Sequence, residues 1–187
     1  MSGRERRSAD PPRWGWHQLD PDWAARLVER AGIRRGDVVL DVGAGTGALT
    51  APLVDAGARV IAVELHPARA DALRARFGSS VTVVRADATD LRLPRRPFHV
   101  VANPPFAATT ALIKRLTHHG SRMVRADLVL DGRVARRWAG RRGDFVGSLG
   151  PPVPRRAFSP APPVDARILT ITTRRAHRDL GAPDARR

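Results

Sequence analysis

At 187 residues the chain is long enough for one domain with a substantial hydrophobic core. Lysine and arginine outnumber aspartate and glutamate by 33 to 18, a formal net charge of +15, and Lys114 is the lone lysine. Such a basic balance points to a polyanionic partner. Cysteine is absent, which excludes disulfides, thiolate metal sites and a cysteine nucleophile. No apolar run approaches the ~20 residues of a membrane helix, and Met1–Arg13 lacks the apolar stretch of a signal peptide. The expectation is a soluble, cytoplasmic protein that needs no membrane.

Residues 1–13 and 174–187 are polar, arginine-rich and poor in large apolar side chains. They read as flexible basic tails around a domain spanning 14–173. Within it, Asp20-Pro21 predicts an N-cap and first helical position, Trp23, Leu27 and Val28 an apolar face, and Gly32 a stop. Val38 to Val42 is a buried-strand run. A helix through Leu49, Leu53 and Val54 follows, ending near Gly57. Strands are expected at Val60–Val63, Val81–Val84, Phe98–Ala102 and Leu128–Leu130, with helices from Pro67 to Phe77 and around Leu112, Ile113 and Leu116. Asp131–Pro163 holds many Gly, Pro and Arg residues and is expected to be loop with short helix or strand pieces. Arg167 to Thr173 alternates and suits a final strand. Strand and helix in alternation imply an α/β fold, a mostly parallel, doubly wound sheet.

Asp41-Val42-Gly43-Ala44-Gly45-Thr46-Gly47 stands at the carboxyl end of the first long strand, where such sheets bind ligands. The G-x-G-x-G spacing differs from the dinucleotide fingerprint, and the Asp41 carboxylate would repel a pyrophosphate. It suits a ligand carrying an ammonium and a sulfonium, S-adenosyl-L-methionine. Glu64 closes the second strand, where a carboxylate can accept both ribose hydroxyls. Asp87 follows the third and could accept from the adenine amine. Each acid alone would pass for a solvated loop residue, but three at consecutive strand ends face one crevice.

Asn103-Pro104-Pro105-Phe106 opens onto the same crevice after the fourth strand. Two prolines stiffen the backbone and remove two amide donors, so the loop offers mainly acceptors, the Asn103 side-chain oxygen and the Pro104 carbonyl. Two acceptors match a base amine with two N–H donors. Accepting both hydrogens tips the nitrogen toward tetrahedral geometry and aims its lone pair at a sulfonium methyl, so catalysis becomes orientation and electrostatics. Phe106 would stack on the base. The target must leave its own stack to enter, which favours looped or single-stranded nucleic acid.

At these residues the sequence resembles the ribosomal RNA adenine N6-methyltransferases, comprising the Erm macrolide-resistance enzymes and relatives that dimethylate small-subunit rRNA. The resemblance runs from about Trp14 to Thr173. It includes the glycine loop with Ala48-Leu49-Thr50, Val63-Glu64, Ala86-Asp87-Ala88, Val101 to Phe106, and Phe158-Ser159-Pro160-Ala161-Pro162-Pro163-Val164-Asp165. It implies a Rossmann-like class I methyltransferase fold ending in an antiparallel strand, with S-adenosyl-L-methionine as cofactor. Cofactor binding is implied for His17, Leu19, Asp41, Gly43, Gly45, Glu64, Leu65, Asp87, Ala88 and Asn103. Catalysis is implied for Asn103, Pro104 and Phe106, and Phe158 is expected as a second aromatic wall for the base.

Departures shape the rest of the expectation. Gly15-Trp16-His17-Gln18-Leu19 stands where the family has a Gly-Gln-Asn-Phe-Leu type segment, and His17 suits either cofactor contact or packing at the helix entry. Asp131-Gly132-Arg133 replaces the usual Gln-Lys-Glu. The chain stops after the last strand, where relatives continue into a helical domain that grips rRNA, so it resembles the short, arginine-rich actinobacterial forms. Phosphate binding then falls to the tails and to Arg137, Arg141, Arg142, Arg155 and Arg156. The implied activity is methylation of adenine N6 in 23S rRNA, free or in immature particles, by a monomer without metal, giving macrolide-lincosamide-streptogramin B resistance. Small-subunit rRNA, DNA adenine and protein glutamine remain as alternative substrates, and a non-catalytic RNA-binding assembly factor as an alternative role. His118-His119 lacks a third nearby ligand and reads as a helix terminus favouring cations. Trp14, Trp16 and Trp23 read as packing at the start of the domain.

Overall fold

A computed structural model describes residues 17–174. The expected tails, and with them Trp14, Gly15 and Trp16, fall outside or at the edge of the described residues. The chain enters through a short strand β1 (Gln18–Leu19) and helix α1 (Pro21–Ala31). Asp20 caps α1 by accepting from the Asp22 amide at 2.9 Å. Gly32, at φ +64°, closes it, its backbone N–H donating to the Glu29 carbonyl. Both ends were legible as side-chain cap and left-handed stop.

Then come β2 (Val38–Val42), α2 (Thr50–Asp55), β3 (Arg59–Val63), α3 (Pro67–Phe77), β4 (Val81–Val84), β5 (Phe98–Ala102) and α4 (Thr109–Leu116). The second half holds β6 (Met123–Asp131), α5 (Gly132–Trp138), β7 (Gly140–Arg142), β8 (Phe145–Val153), β9 (Phe158–Ser159) and β10 (Ala166–Thr173). One sheet takes the order β4-β3-β2-β5-β6-β10-β8-β7. Its first five strands are parallel, and β10 runs antiparallel to β6, as expected of the last strand. Apolar residues fill both faces, Leu27, Leu53 and Leu73 on one and Leu112, Leu116 and Phe98 on the other.

Two stretches depart from the sequence expectation. β6 is nine residues long, extending well before Leu128, because its charged residues neutralise one another. Fully buried Asp127 accepts from Arg125 Nε at 2.6 Å and from Thr170 Oγ1 at 2.7 Å. A buried charge is tolerated when paired and hydrogen-bonded in this way.

The second is Phe145–Val153, inside the stretch expected as loop with short helix or strand pieces and found as a nine-residue strand between β10 and β7. Its glycines serve close packing. A Cβ on Gly147 would sit 2.2 Å from the Trp138 carbonyl oxygen, and one on Gly150 would lie 3.0 Å from Ile168. Pro151 and Pro152 are exposed and fall at a register shift between Arg167 and Leu169, an irregularity where strands accept proline.

The topology sets the site. β2 and β5 are neighbours, yet β2 is followed by α2 and β3 on the other side. Their carboxyl ends therefore flank the point where strand order reverses, which is where open α/β sheets leave a crevice.

Candidate active site and its relatives

A cavity of about 320 Å³ opens at that point, within the ~300–1,000 Å³ usual for small-molecule sites. On one side it is lined by Gly43, Glu64, Leu65, Arg69, Asp87 and Ala88, and on the other by His17, Asn103, Pro104, Pro105 and Phe106. The three loops after β2, β3 and β4 thus meet the loop after β5, as their placement at strand ends implied.

Glu64 organises the glycine-loop side. Its buried carboxylate accepts from the Gly45 amide at 2.8 Å through Oε2 and from the His66 amide at 2.8 Å through Oε1. Arg69, in the first turn of α3, comes within 3.7 Å of Oε1. Each carboxylate oxygen retains a further acceptor direction for a ribose hydroxyl. Gly43, Gly45 and Gly47 all adopt positive φ, which the loop needs in order to turn back after β2.

Asp87 is exposed on the rim. Its Oδ1 accepts from the backbone amide of Thr89 at 2.8 Å and from Oγ1 of the same residue at 2.7 Å. These bonds hold its carboxyl below the ordinary aspartate range, so it is an anionic acceptor at neutral pH.

Asp41 is a correction. It was expected to face the ligand, but its side chain is fully buried and outside the cavity lining. It points to the sheet face covered by α2, where Oδ2 accepts from Thr50 Oγ1 at 2.6 Å and Oδ1 has no partner. Burial pushes its pKa up to about 7, with the nearby Glu64 charge adding to the rise and the Thr50 bonds opposing it.

On the Asn103–Phe106 side, β1 pairs antiparallel with β9, Leu19 opposite Phe158, and this ribbon carries His17 to the cavity. The Asn103 Nδ2 donates to the His17 carbonyl at 2.8 Å. The His17 Nδ1–H donates to the Pro160 carbonyl at 2.9 Å. The His17 ring stands 6.0 Å from that of Phe106, tilted by 36°.

Two further expectations are corrected on this side. Leu19 and Phe158 are buried in the core beneath the ribbon, 2% and 6% exposed, and neither lines the cavity. Alternation along a two-residue strand turns these side chains inward while their neighbours face out. Gly45 also lies outside the lining and acts through its amide to Glu64. Arg137 and Arg142 sit around α5 and β7, away from the cavity, with the Arg142 guanidinium 4.8 Å over the Trp138 ring and bonded to the Arg137 carbonyl. The Arg141 side chain lies outside what is described.

Sequence reasoning missed Arg69, Thr89 and Ala108 in the lining. Arg69 carried a signal, since the first turn of a helix that follows a strand-end acid projects toward that acid. Among the described residues, no group of three or more His, Cys, Asp or Glu could hold a metal ion, and no helix is long and apolar enough to cross a membrane.

These donors and acceptors fit S-adenosyl-L-methionine. Gly43 lines the cavity where a Cβ would come 3.0 Å from Pro105 Cδ, and Glu64 and Asp87 supply acceptors to the same space.

Residues 17–148 match the ribosomal RNA adenine dimethylase family. The chain is 35% identical to the mycinamicin-resistance protein MyrB of Micromonospora griseorubida, across 94% of this chain and 63% of that protein. It is 37% identical to an rRNA adenine N-6-methyltransferase of Corynebacterium diphtheriae, across 71% of this chain and 56% of that one. It therefore spans less than two thirds of the length of either relative. The crystal structure of the 23S rRNA methyltransferase ErmE superposes with a TM-score of 0.74 at 29% identity, covering 83% of this chain and 69% of that one. The fold is that of the class I methyltransferases, and the chain belongs to the ribosomal RNA adenine dimethylase family.

Proposed function

We infer that the protein transfers a methyl group from S-adenosyl-L-methionine to N6 of an adenine in 23S ribosomal RNA, acting in the cytoplasm as a monomer. The observation that carries this reading is the single cavity shared by the Glu64 and Asp87 acceptors and the Asn103–Phe106 loop. A cofactor held by the first set lies against a base held by the second. Similarity to MyrB and ErmE supports the large-subunit target and a role in macrolide-type resistance.

When bound, the cofactor supplies an electrophilic methyl on a sulfonium. Glu64 and the loop it braces hold the ribose, and Asp87 accepts from the adenine end of the cofactor. The Asn103 side-chain oxygen and the Pro104 carbonyl accept the two hydrogens of the target amine, which raises the density of its lone pair toward the methyl. Phe106 stacks on the flipped base and excludes water. Exposed arginines, Arg137 and Arg142 among them, contact RNA phosphates.

The test is incorporation of labelled methyl into protein-free 23S rRNA, followed by mapping of the modified adenine, with Asn103→Ala as control. Wild type is expected to methylate, while the variant binds RNA but does not. Cofactor binding without adenine methylation in any rRNA would overturn the reading.

A further inference from the structure

Three contacts converge on His17. Its backbone carbonyl accepts from Asn103 Nδ2 at 2.8 Å, its Nδ1–H donates to the Pro160 carbonyl at 2.9 Å, and its ring flanks Phe106 at 6.0 Å. Because a carbonyl can only accept, two of these contacts assign hydrogens. The imidazole carries its proton on Nδ1, and Asn103 turns its NH2 group toward residue 17. The amide oxygen of Asn103 is therefore the end left for a ligand in the cavity that Asn103 lines.

That orientation matters because an amide has two nearly isosteric ends. Rotated by half a turn, Asn103 would present N–H donors to an amine that itself offers N–H donors. Nothing within the Asn103–Phe106 loop chooses between the ends, whereas the carbonyl of residue 17 does. Residue 17 lies one position before β1, and its backbone is located by the β1–β9 ribbon on one side and by the imidazole bond to Pro160 on the other.

We propose that the imidazole of His17 is a positioning group for methyl transfer: by binding the Pro160 carbonyl it holds the residue-17 carbonyl where it keeps the Asn103 amide oxygen turned toward the target amine. The identity of that amine rests on the function proposed above. The amide orientation follows from the Asn103–His17 contact alone. The bond also links the Phe158–Asp165 segment to the catalytic loop through one side chain, so that segment acts on the chemistry without lining the cavity.

Two substitutions in the full chain separate the bond from the ring. His17→Asn places a side-chain N–H near the position of Nδ1 and removes the ring, and His17→Phe keeps a ring beside Phe106 and removes the donor. With His17→Phe, kcat on rRNA is expected to fall about tenfold, the loss of one orienting hydrogen bond, with the KM for S-adenosyl-L-methionine about unchanged. His17→Asn is expected to retain kcat. In the cofactor-free protein, NMR should show faster exchange of the Asn103 side-chain amide hydrogens in His17→Phe than in wild type or His17→Asn. Equal kcat in wild type and His17→Phe would overturn the proposal, as would equal losses in both variants. A raised cofactor KM with kcat preserved would overturn it too, and would assign the ring to cofactor contact. Should wild type leave rRNA unmethylated, the functional reading falls while the exchange contrast still decides the role of His17.

Discussion

Gly43 and Pro105 approach so closely in the cavity wall that a Cβ built on Gly43 would lie 3.0 Å from Pro105 Cδ and 3.4 Å from Pro104 Cα. The glycine loop after β2 and the Asn103–Phe106 loop are thus one packed unit. Gly43 also has φ +78°, a conformation that costs an L-residue ~1–2 kcal/mol. Gly43→Ala should therefore push the two loops apart. It is expected to weaken binding of S-adenosylhomocysteine and to lower kcat at saturating cofactor, each by about tenfold or more. Calorimetry and single-turnover methylation measure the two effects separately. A loss of cofactor affinity with kcat intact would mean that the loops act independently.

Glu64 braces the same loop from the other side, with its two oxygens on the amides of Gly45 and His66. In Glu64→Gln one of these amides would face an NH2 group, and donor would oppose donor. Losing a hydrogen bond to a charged, buried acceptor costs ~1.5–3 kcal/mol. The variant should unfold at lower urea concentration than wild type and bind S-adenosylhomocysteine at least about tenfold more weakly. Unfolding midpoints and binding isotherms on the same preparation give both. Wild-type values for both would show that the carboxylate is dispensable.

Asp41 makes stability depend on pH in an unusual direction. Its carboxyl ionises near its ordinary value of 3.8 in the unfolded chain and at about 7 in the folded one. Between these values the folded state binds the extra proton, so this group's contribution to stability falls as pH rises from about 4 to about 7 and levels off above that. Asp41→Asn removes the titration. Its stability relative to wild type should improve from pH 5 to about pH 7 and then stay level to pH 8, as read from urea unfolding at several pH values. A constant difference across that range would refute the assignment.

Strands β2, β3 and β5 and the loops at their carboxyl ends were legible in the sequence because each is a short, mainly apolar run followed at once by a residue that lines the cavity. Val42 gives way to Gly43, Val63 to Glu64 and Ala102 to Asn103, so chemistry follows hydrophobicity without a gap. β8 was illegible because Gly147 and Gly150 are present for contacts with Trp138 and Ile168, partners distant in sequence, and Pro151-Pro152 normally signals a turn. Leu19, Asp41 and Phe158 were assigned to the site by their motifs, yet their side chains point into the protein. A motif locates a segment at the site but does not say which way each side chain faces. The link from Pro160 through His17 to Asn103 joins residues 143 and 86 positions apart, and no local pattern encodes it.

Arg137 and Arg142 offer a test of the proposed RNA contacts away from the cavity. Arg142 is tethered by the Trp138 ring and the Arg137 carbonyl, and both side chains are exposed around the α5–β7 turn. If each binds a phosphate, replacing both with alanine should raise the KM for rRNA at all sequences alike. It should also lower the slope of log affinity against log salt by about one for each phosphate that is no longer neutralised. Binding of S-adenosylhomocysteine should not change. Filter binding across a salt series measures the slope, and an unaltered slope would place the RNA elsewhere.

Phe106 and Phe158 should separate under mutation although both are aromatic and both were expected beside the base. Phe106 lines the cavity next to His17, so Phe106→Ala removes a stacking surface worth ~1–3 kcal/mol per base. It is expected to lower affinity for a target-containing RNA hairpin and to leave unfolding nearly unchanged. Phe158, 6% exposed and packed with Leu19 in the core beneath the ribbon, should behave in the opposite way. Phe158→Ala creates a cavity and costs ~3–5 kcal/mol of stability, whereas the larger side chain of Phe158→Leu should recover most of the stability together with RNA affinity. Fluorescence anisotropy on the hairpin and thermal unfolding of the three variants decide the matter. A Phe158→Leu protein that is fully stable yet weak in RNA binding would return Phe158 to the wall of the base pocket.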